Sequence, residues 1–258
     1  MMKKSIFSIF LLAVLLVIYS VSNCRADRIT IVADYWCPIN CDPSSLQPGL
    51  MVEIAQTVFA NAGHTIEYKI VPWTRAIQDS REGKFTGIIG AQRGDAPDFI
   101  FPENELLMVL SNTFFVKKDS KWSYNNIASL SNVKLAAVSS YDYGEILNEY
   151  IKKAGKNVDL VSGEDAGERN IKKLLMGRVD VIVEAAPVLR YTAAKIGVID
   201  QLKAAGQVSE AEGSYIAFSP AIAKSKEYAR ILSDGVDTLR KSGKLQEILQ
   251  KYSLKDWK

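Results

Sequence analysis

The chain has 258 residues, of which 48% are hydrophobic and 24% charged, and its formal net charge is +3. This composition is ordinary for a globular protein of one large or two modest domains, and it excludes disordered, collagen-like and multi-span membrane proteins. The single histidine, His64, excludes a histidine-built metal site, and we expect neither a metal nor a cofactor.

Residues 1–26 have the pattern of a cleaved secretory signal peptide. Two lysines give the positive start, and the apolar run that follows has about fourteen residues, whereas a membrane span needs roughly twenty. We expect cleavage after Ala26 and a periplasmic mature protein. Cleavage before Cys24, as in a lipoprotein, is the less favoured alternative, because Asn23 is a poor residue immediately before a lipidated cysteine.

Removal of this leader changes the charge of the protein. Lys3, Lys4 and Arg25 are lost without any acidic residue, which leaves 29 basic and 29 acidic side chains. The mature chain is then formally neutral and has no excess of positive charge to hold a polyanion. We therefore expect no nucleic-acid partner.

The mature chain keeps two cysteines, Cys37 and Cys41. In an oxidising compartment a local disulfide between them is the expected outcome. Because the loop it closes is very short, it would rigidify a turn rather than hold the fold together. A redox-active pair is the alternative, but such motifs usually have two residues between the cysteines, and here there are three.

Strands and helices alternate along the first part of the mature chain. The pattern predicts strands over residues 29–33, 66–70 and 87–91, with helices that begin after Pro48-Gly49 and at Pro72. Short connections between alternating elements of this kind indicate a parallel α/β sheet.

The alternation of predicted strands and helices occurs again from residue 134 onward, so the chain contains two similar α/β units. Strands are predicted over residues 134–138, 158–161 and 179–183, with helices over 142–154 and 166–176. Extended segments at 111–116 and 215–218 separate the units, and amphipathic helices are predicted over the tail, residues 224–252.

Several segments together carry a family resemblance through their order and spacing, although none is specific alone. They are Tyr35-Trp36 after the first strand, Pro48-Gly49-Leu50-Met51-Val52-Glu53-Ile54, Pro72-Trp73-Thr74-Arg75-Ala76, Gly177-Arg178-Val179-Asp180, Tyr215-Ile216-Ala217-Phe218-Ser219 and the closing segment 239–252. In this order the mature chain resembles the family-3 bacterial extracellular solute-binding proteins, which include periplasmic amino-acid-binding proteins.

The resemblance implies an α/β fold of the type II periplasmic binding protein class. Two lobes, each a mostly parallel sheet flanked by helices, would be joined by two hinge crossings at the extended segments. Lobe 1 would comprise residues 27–113 and 215–258, and residues 114–214 would form an inserted lobe 2. A solute would bind in the cleft between the lobes, which would close around it by a hinge motion.

The sequence departs from this family where its amino-acid binders hold their ligand. The arginine that grips the α-carboxylate lies six residues before an aromatic residue, here Phe101, and that position is Asp95. Arg93 lies two positions earlier. The aspartate that meets the α-ammonium group is replaced by Ala185, beside Glu184. The resemblance therefore leaves the identity of the solute open.

Eight residues are candidates for ligand contact: Tyr35, Trp36, Trp73, Arg75, Arg93, Ser140, Tyr141 and Glu184. Arg93 lies among glycines at a strand end, and its guanidinium fork suits a carboxylate or phosphate. Ser140 lies before a predicted helix, where hydroxyl and backbone N–H groups suit an anionic group, although it or Asp142 could simply cap that helix. Arg75 could equally be a solvated surface residue.

These features predict a monomeric periplasmic protein that captures a small polar or zwitterionic, amino-acid-like solute. It would deliver the solute to the membrane permease of an ABC importer. We predict no enzyme and no catalytic residue, because no nucleophile elbow, phosphate loop or metal-ligand cluster is present. Two alternatives stay open: a dehydratase-like enzyme on the same fold, using Asp95, Asp142 and Glu184, or a ligand-presenting accessory to a membrane sensor.

Overall fold

The structure, a computed structural model, describes residues 26–105, 107–108, 112–208, 213–252 and 254–258. The predicted signal peptide, apart from Ala26, and the alternative lipidation site at Cys24 lie outside these residues. Within the described ranges, no helix combines the length and the apolar character needed to cross a bilayer.

Ten strands and seven α-helices are formed by the described residues. The strands are β1 (Arg28–Ala33), β2 (Thr65–Ile70), β3 (Gly87–Ala91), β4 (Leu107–Met108), β5 (Asn112–Lys117), β6 (Leu135–Val138), β7 (Val158–Val161), β8 (Val181–Ala185), β9 (Leu202–Gln207) and β10 (Gly213–Phe218). The α-helices are α1 (Leu50–Asn61), α2 (Trp73–Arg81), α3 (Glu145–Lys153), α4 (Ala166–Leu175), α5 (Ala186–Lys195), α6 (Ser225–Lys241) and α7 (Lys244–Lys251).

The strands form two five-stranded sheets with the same pattern of order. The first sheet has the order β2-β1-β3-β10-β4, and the second has the order β7-β6-β8-β5-β9. In each sheet three strands pair in parallel, and one strand, β10 or β5, runs against its neighbours. Four strands in each sheet therefore share a direction, as a mostly parallel α/β sheet requires.

Each sheet has its own set of helices, although Val188 of α5 also joins the apolar cluster of the first sheet. Helices α1, α2, α6 and α7 contribute to the apolar core of the first sheet, where the buried residues of α1 include Leu50, Ile54 and Val58 at a spacing of four. Helices α3, α4 and α5 pack on the second sheet. We call the parts built on the first and second sheets lobe 1 and lobe 2.

The two segments expected as hinge crossings lie mainly within strands. Residues 112–116 belong to β5 of the second sheet, and residues 215–218 belong to β10 of the first sheet. The lobe boundaries expected near residues 113 and 215 stay a prediction. The chain changes sheets between β4 and β5 and again between β9 and β10.

Candidate ligand-binding cleft

The carboxyl ends of parallel strands from both sheets supply the polar residues of the cleft. Asp34 follows β1 and Gln92 follows β3, both in lobe 1. In lobe 2, Tyr141 lies in the segment after β6, and Glu184 is the penultimate residue of β8. Side chains at these positions converge because the carboxyl ends of parallel strands lie at one edge of a sheet.

The disulfide loop positions two of the lobe 1 side chains. Cys37 and Cys41 are bonded, as expected, and the backbone groups of Trp36 and Asn40 are hydrogen-bonded across the loop at 2.9 and 3.1 Å. Gly49 packs against this loop at φ 117°, where a Cβ atom would lie 2.5 Å from the Asn40 Cα. The loop therefore has little freedom to move.

Hydrogen bonds between carboxylates and aromatic side chains join the two lobes across the cleft. The Trp36 indole Nε1 donates to Glu184 Oε1 at 3.0 Å. The Tyr141 hydroxyl donates to Asp34 Oδ2 at 2.6 Å. Because each bond links residues of opposite lobes, this structure has the lobes closed on each other.

Further contacts complete the closed arrangement beside these bonds. Asp95 of lobe 1 accepts the backbone N–H of Asp142 of lobe 2 at 2.9 Å. Trp73 Nε1 donates to the Ser140 carbonyl at 3.2 Å, and its ring lies edge-on to Tyr141 at 6.1 Å. Ser140 has a φ of 66°, a left-handed backbone conformation that presents its carbonyl to Trp73.

A cavity that is partly open to solvent lies between the lobes, and the space between its walls, solvent included, is about 400 Å³. Its lining residues are Asp34, Trp36, Asn40, Trp73, Ile89, Gly90, Gln92, Asp95, Asn112, Tyr141, Asp142 and Glu184. Among these described residues there are four acids and no lysine, arginine or histidine. The cavity wall is therefore rich in hydrogen-bond acceptors and aromatic surface.

Three carboxyl groups of this wall have pKa values above their ordinary range. Burial raises the pKa of Asp34 to about 6, although the hydrogen bond from Tyr141 opposes the shift. Burial raises the pKa of Glu184 to about 7 against the hydrogen bond from Trp36. Burial also raises the pKa of Asp95 to about 7, although two backbone N–H groups donate to it. Among the described residues of the wall, no cationic side chain compensates their charge.

A second cavity, also partly open to solvent, adjoins the first and shares Asp34, Trp36, Tyr141 and Glu184 with it. Its wall adds Glu164, Asp165 and Glu168 at the start of α4, and its one described lysine is Lys195. The bonded pairs Trp36–Glu184 and Tyr141–Asp34 lie where the two cavities meet.

The structure brings six of the eight predicted site residues to these cavities or their immediate boundary. Trp36, Trp73, Tyr141 and Glu184 line the first cavity. Tyr35 lines the second, where Lys195 Nζ lies 4.6 Å from its ring centroid. Ser140 is exposed and reaches the cleft through its bond to Trp73. The two arginines are placed differently.

Arg93 and Arg75 do not line either cavity. The Arg93 guanidinium lies between two rings, 5.1 Å from the Phe101 centroid and 4.7 Å from that of Tyr215. Its Nη2 donates to the Pro102 carbonyl at 3.4 Å. Arg75 is exposed on α2. We expected Arg93 to contact the ligand in the cleft. In the structure its guanidinium stacks on Phe101 and Tyr215 instead, so the side chain does not line either cavity.

Sequence reasoning missed four polar residues of the first cavity, Asp34, Asn40, Gln92 and Asn112. Asp34 directly follows the apolar strand β1. A polar residue at the end of an apolar strand is the signal that predicted Glu184, so the same signal could have predicted Asp34. Gln92 follows β3 in the same way. Asn40 lies inside the disulfide loop, and nothing in the sequence indicates that its amide faces the cavity.

The fold and the cleft define the class of protein: two similar α/β lobes, connected twice by the chain, close over a cavity at their strand ends. Residues 29–255 match the Bacterial extracellular solute-binding proteins, family 3, and the chain belongs to that family. No curated protein sequence matches it at a significant level. The fold is that of the type II periplasmic binding proteins.

Solved structures with this fold come from proteins of different roles. A histidine kinase sensor domain with similarity to periplasmic binding proteins has 21% identity and a TM-score of 0.73, with 88% of this chain and 96% of that chain covered. The P235GK mutant of ArgBP from T. maritima has 18% identity and a TM-score of 0.72, covering 87% and 94%. A histidine-bound substrate-binding protein of an ABC uptake transporter from Streptococcus pneumoniae has 18% identity and a TM-score of 0.71, covering 87% and 92%. At these identities the likeness concerns the fold alone.

Proposed function

We propose that the protein is a periplasmic solute-binding protein that captures a small polar solute between its two lobes and releases it chemically unchanged. The observation that carries the proposal is the cavity at the carboxyl ends of both sheets, lined by acceptors and aromatic rings. Interlobe bonds such as Trp36–Glu184 would seal a solute inside once it is bound. The membership in an extracellular solute-binding family supports the same role.

We propose that the protein delivers the solute to the membrane permease of an ABC importer. The amino-acid-binding protein of an ABC uptake transporter among the structural neighbours supports this assignment. The protein would act as a monomer, after removal of residues 1–26 during export, with residues 27–258 as the mature form.

Presentation of the solute to a membrane sensor is a second candidate. The sensor domain of a histidine kinase with the same fold favours it. The two roles share the binding of the solute and differ in the membrane protein that binds the closed, loaded form. Cross-linking of the loaded protein in cells, followed by identification of the membrane partner, separates them.

Catalysis on the same scaffold is the third candidate, and the three carboxyl groups with raised pKa values motivate it. Such groups suit proton transfer, but they also suit the binding of a cation. If the protein is an enzyme, the bound solute is consumed, and Glu184→Gln abolishes its turnover while leaving its binding measurable.

Thermal melting of the mature protein against a panel of small metabolites tests the proposed function. A ligand present at 100 times its Kd stabilises the folded state by about 2.7 kcal/mol. We expect at least one polar metabolite to raise the Tm and to be recovered unchanged. Absence of stabilisation by any member of a broad panel would contradict the proposal.

A further inference from the structure

The first cavity has an unusual set of polar groups for a protein whose solute is amino-acid-like. Its charged side chains are Asp34, Asp95, Asp142 and Glu184, and no described residue of its wall carries a positive charge. Among the described residues of this wall, a ligand carboxylate would meet four acids and no cation, and the one lysine of the adjoining cavity, Lys195, donates to the Tyr35 hydroxyl. The chemistry of the wall therefore disfavours an anionic or carboxylate-bearing ligand.

Two amide oxygens of the wall add to this preference. Asn40 is fully buried, and its Oδ1 atom has no hydrogen-bond partner among the described residues. The orientation of this amide is fixed, because Asn40 Nδ2 donates to the Asp34 carbonyl at 2.7 Å. Gln92 is 9% exposed, and its Oε1 atom is likewise unpartnered. Buried acceptors of this kind require a donor, which the ligand can supply.

The backbone donors that could hold a ligand carboxylate are already occupied. Asp95 Oδ1 accepts from the Asp142 N–H at 2.9 Å, and Asp95 Oδ2 accepts from the Gln92 N–H at 2.7 Å. The protein's own carboxyl group thus takes these donors from both lobes. Arg93, the other candidate for a carboxylate, is stacked between Phe101 and Tyr215 outside the cavity.

A metal ion does not explain the acidic wall. The described residues contain no group of three or more His, Cys, Asp or Glu arranged to hold one. The acids are instead spread among Trp36, Trp73 and Tyr141, whose ring faces attract organic cations. Burial without compensation also keeps the pKa of Glu184 near 7, so a bound cation would stabilise the charged form of this carboxyl group.

From these observations we infer that the solute is an organic cation that carries N–H donors and lacks a carboxylate, such as a primary diamine or an alkylguanidine. Asn40 and Gln92 accept its N–H groups, Asp34 and Glu184 balance its charge, and the aromatic rings cover its carbon chain. Glu184 receives both of its protein hydrogen bonds at Oε1, so Oε2 keeps its capacity to accept. This inference rests on the proposed function and names the ligand class of the same cleft.

Matched ligand pairs that differ only by a carboxylate test the inference. Cadaverine is compared with lysine, putrescine with ornithine and agmatine with arginine, by calorimetric titration into the refolded mature protein. We expect at least one decarboxylated member to bind about tenfold or more tightly than its amino acid, since an unpaired buried charge is costly.

The remaining outcomes separate this inference from the proposed function. Equal or tighter binding of the amino acids, or binding only of a neutral or acidic metabolite from the wider panel, overturns the ligand class and leaves the solute-binding function intact. Absence of binding by every metabolite overturns the function, and the ligand class with it.

Variants locate the site independently of the ligand pairs. Glu184→Gln keeps an oxygen for the Trp36 and Ala185 donors, and Asp34→Asn keeps one for Tyr141. Each should weaken the binding of the cation about tenfold or more. Glu149→Gln, on the exposed face of α3, is the matched control and should leave affinity unchanged. Unchanged affinity in both cleft variants would contradict the proposed site.

Discussion

Gly94 of lobe 1 lies so close to Asp142 of lobe 2 that a Cβ atom at position 94 would overlap the Asp142 carboxylate. With a side chain at residue 94, the lobes could approach to this distance only if the Asp142 side chain moved. Asp142 is held in place from its own lobe, since its carboxylate accepts from the Gly144 N–H and from Asn148 Nδ2. The contact therefore makes closure sensitive to a single methyl group.

Gly94→Ala should oppose the closed state without unfolding either lobe. We expect weaker ligand binding, by about tenfold, because the bound form must displace the Asp142 side chain or stay partly open. Small-angle scattering should show a larger radius of gyration than for the wild-type protein in saturating ligand. The double variant Gly94→Ala, Asp142→Gly removes the overlapping group, so it should recover compactness; failure to do so would contradict the steric explanation.

The ligand-free protein should lose stability as the pH rises from about 4 to 7. In this range the native state keeps protons on Asp34, Asp95 and Glu184, whose pKa values are about 6, 7 and 7, whereas their unfolded values are 3.8, 3.8 and 4.5. The native state then binds more protons than the unfolded state, so the free energy of unfolding falls with rising pH and levels off above about 7. Urea denaturation at several pH values measures this slope.

Glu184→Gln should flatten that dependence, because an amide resembles the protonated carboxyl group. At pH 8 we expect the free energy of unfolding of the ligand-free variant to exceed that of the wild type by on the order of 3 kcal/mol, and at pH 4 to be close to it. Glu149→Gln is the control, since Lys153 holds the pKa of Glu149 below its ordinary value, and it should show no such gain. An equal effect of Glu184→Gln at both pH values would contradict the assignment.

Binding of a cation should release protons and weaken as the pH falls. Asp34, Trp36, Tyr141 and Tyr143 interact with Glu184, and none of them is cationic. Lys195 lines the second cavity with Glu184, but its Nζ donates to the Tyr35 hydroxyl at 3.3 Å. A bound cation therefore favours the ionised carboxyl group. Affinity should rise between about pH 5 and 8 and then level off. Titrations in buffers of different ionisation enthalpy count the protons released; an affinity independent of pH would contradict the prediction.

The disulfide should matter for binding as well as for stability. Replacing Cys37 and Cys41 by serine removes a constraint worth about 2 kcal/mol for so short a loop in the chain-entropy model. It also frees the loop that holds Trp36 and Asn40 at the cavity. We expect reduced affinity at a temperature where the variant is fully folded. Loss of stability with unchanged affinity would show that packing against Gly49 alone positions the loop.

Much of the fold followed from local patterns. Apolar runs and turn residues predicted the parallel strands of both lobes, which are β1, β2 and β3 in lobe 1 and β6, β7 and β8 in lobe 2. These signals could be used because they depend only on neighbours in the chain. Helix α5 and strand β9 were not predicted. An extended apolar run does not reveal which sheet it joins, so the pattern alone could not assign β5 and β10 to their sheets.

The candidate site could be predicted only in part, for a physical reason. Strand ends identified Glu184 and Trp36, because the direction of a parallel strand fixes where its end lies. The direction of the Arg93 side chain depends on Phe101 and Tyr215, and Tyr215 is 122 residues away in sequence and brought close by the fold. Contacts of that kind are absent from any local pattern.

Arg93 and Trp36 should therefore respond differently to substitution. Arg93→Gln removes a cation stacked between two rings, which should lower the free energy of unfolding by about 1 kcal/mol and leave ligand affinity within about threefold. Trp36→Phe keeps an aromatic wall but removes the donor to Glu184, so ligand affinity should fall about tenfold with less effect on stability. Titration and denaturation of both variants measure the two quantities. If Arg93→Gln instead abolishes binding while the protein stays folded, the guanidinium contacts the solute, and the ligand carries the carboxylate that the acidic wall disfavours.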